Sequence, residues 1–226
     1  MGTIILVSNK SWNISLLSKL KGYLDHEIIL ISNKDQFVSQ VSLIKNVEWI
    51  FILHWNFIIP KEIWENYKTV IFHMTDLPFG RGGSPLQNLI KRKFKDTIMS
   101  AIECTNTLDG GNIYLKKKLN LNGSAEEIYL RSNELMREMI IDIVINNPIP
   151  TPQKGEIVNF KRRTPDESNL NLCSDGNLEE WYDHIRMLDA EGYPNAFLEI
   201  NGIRIEFRRV NKKVNYLLAD VVIKKI

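Results

Sequence analysis

Thr69-Val70-Ile71-Phe72-His73-Met74-Thr75-Asp76-Leu77-Pro78-Phe79-Gly80-Arg81-Gly82-Gly83-Ser84-Pro85 is the stretch whose reading decides the fold. Its first four residues form an apolar run of the kind found in buried parallel strands. A histidine therefore stands where a strand ends. The loop after it carries Pro78, Gly80, Gly82 and Gly83, all turn formers. Ser84-Pro85 then opens a helix through about residue 92, with Ser84 as N-cap and Pro85 at the first helical position. Ligands of open α/β sheets bind outside the carboxyl ends of the strands. The loop thus lies where such a protein does its chemistry. A lone histidine beside a tight loop is more often a structural residue, so the company it keeps must decide.

Upstream, residues 3–7, 27–31 and 49–53 read as strands, with helical spacing of Leu, Ile and Val over residues 14–24 and through 46. Alternating strands and helices imply an α/β fold, a doubly wound Rossmann-like sheet. The first loop, Ser8-Asn9-Lys10-Ser11-Trp12-Asn13, lacks a Gly-x-Gly-x-x-Gly fingerprint, which argues against an ordinary dinucleotide site. Its polar residues suit either a ligand phosphate or a solvated connection. His54-Trp55-Asn56-Phe57-Ile58-Ile59-Pro60 follows the third strand, and its aromatics suit either the core or a planar ligand. Residues 96–103 read as a strand. Asp109-Gly110 between apolar runs is a hairpin signal, which alone gives Asp109 a structural role. Ser124 starts a long helix to about residue 146, with Ile128, Leu130, Leu135, Met139 and Ile143 as its buried stripe. Asn147-Pro148-Ile149-Pro150-Thr151-Pro152 marks a boundary between a catalytic domain (1–150) and a linker with a small C-terminal α+β subdomain (151–226). That subdomain has a helix over 178–188 and short strands turning at Asn201-Gly202 and Asn211-Lys212.

The 226 residues carry a formal charge of +2 with 25% charged residues, which does not point to a dedicated nucleic-acid binder. No apolar run reaches membrane-spanning length and no leader pattern is present, so the expectation is a cytoplasmic protein without a membrane partner. Cys104 and Cys173 form no redox motif, and no cluster has metal-ligand spacing.

The His73 loop resembles the 10-formyltetrahydrofolate-dependent formyltransferase family, which carries Asn-x-His-x-Ser-x-Leu-Pro-x-x-Arg-Gly-x-x-Pro at this place. Leu108-Asp109-Gly110-Gly111 resembles the second half of that signature, Leu-Asp-x-Gly. Arg162-Arg163-Thr164-Pro165-Asp166 and Tyr193-Pro194-Asn195-Ala196-Phe197 are similar to the C-terminal region of methionyl-tRNA and sugar formyltransferases. The resemblance covers about residues 50–197.

The resemblance implies an N-formyltransferase with a formyltransferase catalytic domain and N10-formyltetrahydrofolate as formyl donor, without a metal. His73 is then the base and Asp109 its orienting carboxylate. Trp55, Phe57, Ile58, Pro78, Arg81, Gly82 and Leu108 are expected at the donor. Ser8, Asn9, Lys10, Trp12 and Asp76 are expected at the acceptor. One departure stands out: Ile71 occupies the position of the family's oxyanion-holding Asn, a donor worth about a hundredfold in rate. A backbone N–H, Asn56 or Thr75 are the candidates to replace it. The chain looks short for a methionyl-tRNA formyltransferase with its full C-terminal β-barrel. We therefore expect a sugar N-formyltransferase for surface-glycan biosynthesis. Its acceptor would be a nucleotide-linked (UDP) amino-dideoxy sugar of the pseudaminic acid type, and it would act as a homodimer without nucleic acid. The alternatives are formyl transfer to another amine, a nucleotide precursor or aminoacyl-tRNA, and a non-catalytic folate-binding protein.

Overall fold

The computed structural model describes residues 1–174 and 176–226. The chain forms two compact units, each assembled from three segments.

The first unit comprises Met1–Gly82, Ile98–Leu119 and Leu130–Asn159. It is built on a six-stranded sheet of β1 (Thr3–Val7), β2 (Glu27–Ile31), β3 (Val47–Ile52), β4 (Thr69–His73), β6 (Asp96–Glu103) and β7 (Ile113–Asn120). The strand order is β2-β1-β3-β4-β6-β7. The first four strands are parallel, and β6 runs antiparallel to β4, with His73 opposite Ser100. This is the expected Rossmann-like α/β arrangement. Every residue of β1 is buried, as a strand covered on both faces requires. Helix α1 (Ser15–Lys21) follows β1, and Ile5, Val7, Ile31, Ile50 and Ile52 share one core with Phe37 and Val41 of α2 (Phe37–Leu43) and Ile63 of α3 (Lys61–Trp64). Each such side chain contributes about 1.5–3 kcal/mol through burial. A short strand not expected from sequence, β5 (Phe79–Gly82), pairs with β8 (Val158–Phe160). Gly80 and Gly82 in it have φ of 79° and 104°, backbone that a side chain opposes.

Helix α5 (Ala125–Asn146) starts at a capping box: Glu127 Oε2 accepts from Ser124 N–H (2.7 Å) and Glu127 N–H donates to Ser124 Oγ (3.3 Å). Its buried stripe differs from the expected one. Ile128, Met136, Met139, Ile140 and Ile143 are buried, while Leu130 is 48% exposed. Two buried polar residues, Ser132 and Asn133, continue the 3.6-residue period and masked it.

Those polar residues belong to a buried network. Trp12 Nε1–H donates to His54 Nδ1 (3.3 Å), so the ring proton sits on Nε2, facing Ser132 Oγ at 3.1 Å. Asn13 Nδ2 donates to Ser8 Oγ (2.7 Å), and Asn133 Nδ2 donates to the Trp12 carbonyl (2.8 Å). The loop after β1, the loop after β3 and the middle of α5 are thereby tied together.

The second unit comprises Gly83–Thr97, Asn120–Tyr129 and Phe160–Ile226. It holds α4 (Pro85–Lys91), α6 (Leu178–Arg186) and an antiparallel sheet, β11-β10-β9, of β9 (Ala196–Ile200), β10 (Ile203–Lys212) and β11 (Leu217–Lys225). Ser84 does not cap α4 with its side chain. It adopts φ 50°, and its Oγ accepts from Arg163 N–H (3.1 Å). Asn201 (φ 50°) and Gly202 (φ 74°) make a two-residue hairpin with both central residues left-handed. Asn211-Lys212, expected as a turn, instead ends β10, and the chain reverses after it. Gln87 Nε2 donates to the Met187 carbonyl (3.1 Å), and Tyr129 OH donates to Tyr193 OH (2.7 Å).

Burial, aided by the Lys10 charge, holds the His54 imidazole down to about 3, and burial with Arg163 nearby holds His184 down to about 4. A histidine depressed in the folded state stabilises the fold above its unfolded value near 6.5 and loses that contribution as pH falls toward the folded value. At pH 5 each costs about 2 kcal/mol of stability, from the unfolded chain's extra proton. Thermal melts should show stability falling steadily between pH 6.5 and 4. His54→Asn should lower the melting temperature at pH 7 and flatten that slope.

Candidate functional site

The site is assembled wholly within the first unit, from β4, the turn into β5, the loop between β6 and β7, and residue 153. His73 ends β4 and is buried. Its Nε2 lies 2.8 Å from the Gly80 carbonyl oxygen. A carbonyl only accepts, so Nε2 carries a proton. The same carbonyl accepts from Thr75 Oγ1 (3.3 Å), and Ser100 Oγ donates to Thr75 O (2.8 Å). The tight turn is thus pinned to the sheet, and the ring orientation with it.

On the other side of the ring, His73 Nδ1 faces Asp109 Oδ2 at 3.6 Å. Asp109 Oδ2 accepts from Gly82 N–H (2.8 Å). Asp109 itself has φ 49°, a left-handed conformation that Asp tolerates better than most residues. The hairpin loop departs beside the start of β4, where Cys104 N–H donates to the Thr69 carbonyl (2.9 Å). It must fold back along β4 to bring Asp109 to His73. Gly111 makes that path possible: a Cβ there would lie 1.9 Å from the Glu103 carbonyl oxygen. Burial, with the Asp109 charge second, pushes the Cys104 thiol up to about 12, so it stays protonated.

Gln153 completes the loop. Its Nε2 donates to the carbonyls of Asp109 (2.8 Å) and Gly111 (2.9 Å), and its Oε1 accepts from Arg81 Nε (3.1 Å) and Nη2 (2.7 Å). Nothing in its local sequence, a glutamine after a Pro-rich stretch, distinguishes it from a surface residue.

The arrangement brings together His73, Asp109, Gly82 and Arg81 of the residues expected from sequence. Pro78 is buried, and its carbonyl accepts from Val158 N–H (3.3 Å). Leu108 is exposed on the Asp109 loop. Trp55 and Phe57 pack edge to face with centroids 5.3 Å apart, while Ile58 projects into solvent. Ser8 and Trp12 lie inside the buried network around His54, with Lys10 over the Trp12 ring and Asn9 exposed. Asp76 pairs with Lys116 on the surface at 2.5 Å. Ile71 sits mid-strand opposite Ile52 and Ile102. Of the groups considered to replace an oxyanion donor there, Thr75 is engaged by Gly80, and Asn56 stands exposed. Among the described residues no group of His, Cys, Asp and Glu has the makings of a metal site, and no helix is long and apolar enough to cross a membrane.

With two potential acceptors at its two nitrogens, the His73 ring satisfies both only when both nitrogens carry protons. Neutral, it leaves one lone pair toward an acceptor.

Residues 165–224 match the family model described as the C-terminal domain of methionyl-tRNA formyltransferase. A solved structure, a methionyl-tRNA formyltransferase from Clostridium thermocellum, is 45% identical. Each chain is covered in full, and the TM-score is 0.94. The methionyl-tRNA formyltransferase of Rickettsia prowazekii is 27% identical over 183 residues, 75% of this chain and 57% of that protein. The chain spans 57–61% of the length of the Rickettsia relatives first matched. A sugar N-formyltransferase from Shewanella shares the fold at 18% identity, with TM-score 0.70 over 95% of this chain.

These similarities overturn the sugar expectation. Relatives with substantial identity are methionyl-tRNA formyltransferases, and the sugar enzyme matches at the level of fold. The expected partners change with it: neither a nucleotide-linked (UDP) sugar nor the exclusion of nucleic acid stands, and glycan biosynthesis falls away. The C-terminal segment, short by sequence for that class, nevertheless matches that class's C-terminal domain model.

Gly111→Ala should push the loop off Glu103 and misplace Asp109. It should lower the melting temperature and abolish activity. By contrast, Gly22→Ala, where a Cβ meets nothing closer than 3.8 Å, should leave both near native.

Proposed function

The chain belongs to the formyltransferase family, and from that premise we propose that it moves a formyl group from N10-formyltetrahydrofolate to the α-amine of an aminoacyl-tRNA, methionyl-tRNA by likeness to its relatives. The observation that carries this is the His73–Asp109 pair with its backbone anchors, joined to 45% identity over the full chain with a methionyl-tRNA formyltransferase.

In this reading the acceptor attacks as the neutral amine, since an ammonium has no lone pair to offer. Its nitrogen bonds to the formyl carbon and gives up one proton, the bond from that carbon to N10 breaks, and tetrahydrofolate leaves with a proton on N10. His73 takes the amine's proton at Nδ1, the nitrogen left free while Nε2–H is bound to the Gly80 carbonyl. Its protonated ring presents N–H groups toward the Gly80 carbonyl and the Asp109 carboxylate, so the charge it acquires meets a fixed anion in a buried place. Asp109 keeps the ring oriented and is itself held by Gly82 N–H. The bound donor supplies an activated formyl carbon. Its fit rests on apolar side chains left exposed on loops of the first unit, Phe57, Ile58 and Leu108, with Trp55 beneath Phe57. Pro78, Arg81 and Gly82 shape the turn beside it.

Within the second unit, Lys91, Arg92, Lys93 and Lys95 at the end of α4 and Lys161 and Arg162 after β8 are exposed cations. Lys91 and Lys161 both draw down the Glu167 carboxyl, whose first cause is its hydrogen bond from Thr164 N–H. Asn88 Nδ2 of α4 donates to the Lys161 carbonyl (3.0 Å), so the two basic segments are neighbours, and they offer a surface for a phosphate backbone.

The test is single-turnover transfer from N10-formyltetrahydrofolate to methionyl-tRNA, with uncharged tRNA and free methionine as controls. Formyl-methionyl-tRNA is expected from native protein, with a loss of about a hundredfold or more in His73→Ala. Donor binding with no transfer to methionyl-tRNA would overturn the reading. Lys91→Glu with Lys161→Glu should raise KM for tRNA, leave KM for the donor within twofold, and reduce the salt dependence of tRNA binding.

A further inference from the structure

We propose that Gln153 is a positioning residue for the Asp109 carboxylate: its neutral amide occupies the Arg81 guanidinium and so keeps that cation from capturing Asp109 away from His73. The inference rests on the reading of His73 and Asp109 as base and partner. It assigns a role to a residue outside the sequence motifs.

Arg81 precedes Gly82, whose N–H binds Asp109 Oδ2. Its guanidinium also reaches the loop that carries Asp109, since a Cβ on Gly110 would stand 3.4 Å from Arg81 Nη1. A guanidinium fork this close to the loop that carries a carboxylate has an obvious alternative partner, because Arg and carboxylate fit as a bidentate pair. In the structure the fork is taken by the Gln153 carbonyl oxygen through both Nε and Nη2. The other end of the same amide donates to Asp109 O and Gly111 O. One side chain therefore satisfies the cation with a neutral acceptor and clamps the backbone on both sides of Gly110. A carboxylate here would lose the two donors. A shorter side chain would reach only one end. Glutamine alone offers an acceptor for the fork and paired donors for the two carbonyls at this length.

The chain has four histidines, His26, His54, His73 and His184, so the ring C–H signals of His73 can be followed by heteronuclear NMR without substrate or turnover. Asp109→Asn locates the signature of a His73 ring without its carboxylate. In Gln153→Met, which keeps the volume, the His73 signals should move toward the Asp109→Asn positions while those of the other three histidines stay put. Adding Arg81→Ala to Gln153→Met should return them toward native, because the competing cation is gone. Arg81→Ala alone should leave them near native. Where turnover is measured, Gln153→Met should lower kcat about tenfold or more, with donor KM within twofold. His73 signals unmoved in Gln153→Met would overturn the proposal. So would signals that move but are not restored by removing Arg81. An absence of transfer to methionyl-tRNA with this NMR pattern intact would count against the proposed acceptor, not against the role of Gln153.

Discussion

A carboxylate held against a histidine by backbone groups is the constraint on which the rest of the first unit depends. Asp109 reaches His73 only because the β6–β7 loop folds back along β4, in a left-handed conformation at Asp109 itself and past a glycine that has no room for a side chain. Gly82 N–H takes one carboxylate oxygen, and Gln153 takes the backbone on either side. The ring is fixed from its other nitrogen by the Gly80 carbonyl, which Thr75 holds in turn. Apart from Gln153, the anchors are local to two turns and one strand end, yet those turns need the sheet. Ser100 on β6 and Thr69 on β4 fix where each loop starts.

The chemistry follows from that geometry. A base useful near neutral pH must accept a proton in a buried place, where an isolated charge is expensive. In the proposed reaction a carbonyl and a carboxylate face the two ring nitrogens, acceptors already in place that need no rearrangement as a proton arrives. Arg81 is the hazard in such a design, a permanent cation beside the same loop. The Gln153 amide answers it without adding a charge.

The strands and the His73 loop were legible because they are local. Apolar runs between turn formers give β1 and β2 with their observed bounds, and β4 to within a residue. The pairing of His73 with Asp109 was legible only through resemblance, since spacing alone makes Asp109 a hairpin turn residue. It is in fact both, a turn residue and a carboxylate aimed at the ring. Gln153 was not legible at all. Its role depends on two carbonyls and a guanidinium brought together by tertiary folding, and no periodicity reports that. The polar residues on the buried face of α5, Ser132 and Asn133, hid its stripe for the same reason: their partners, His54 and Trp12, are remote in sequence. Net charge does not report the cluster of exposed cations at 91–93, 95 and 161–162, because acids elsewhere in the chain balance it.

The central claim is that His73 and Asp109 act as one unit. A double-mutant cycle on the single-turnover formyl-transfer rate tests it directly, using His73→Asn, Asp109→Asn and the pair together. The account predicts that the double variant is no slower than His73→Asn, because a carboxylate without its ring has nothing to orient. Losses that multiply in the double variant would mean that Asp109 acts on the reaction independently of His73, and would contradict the account.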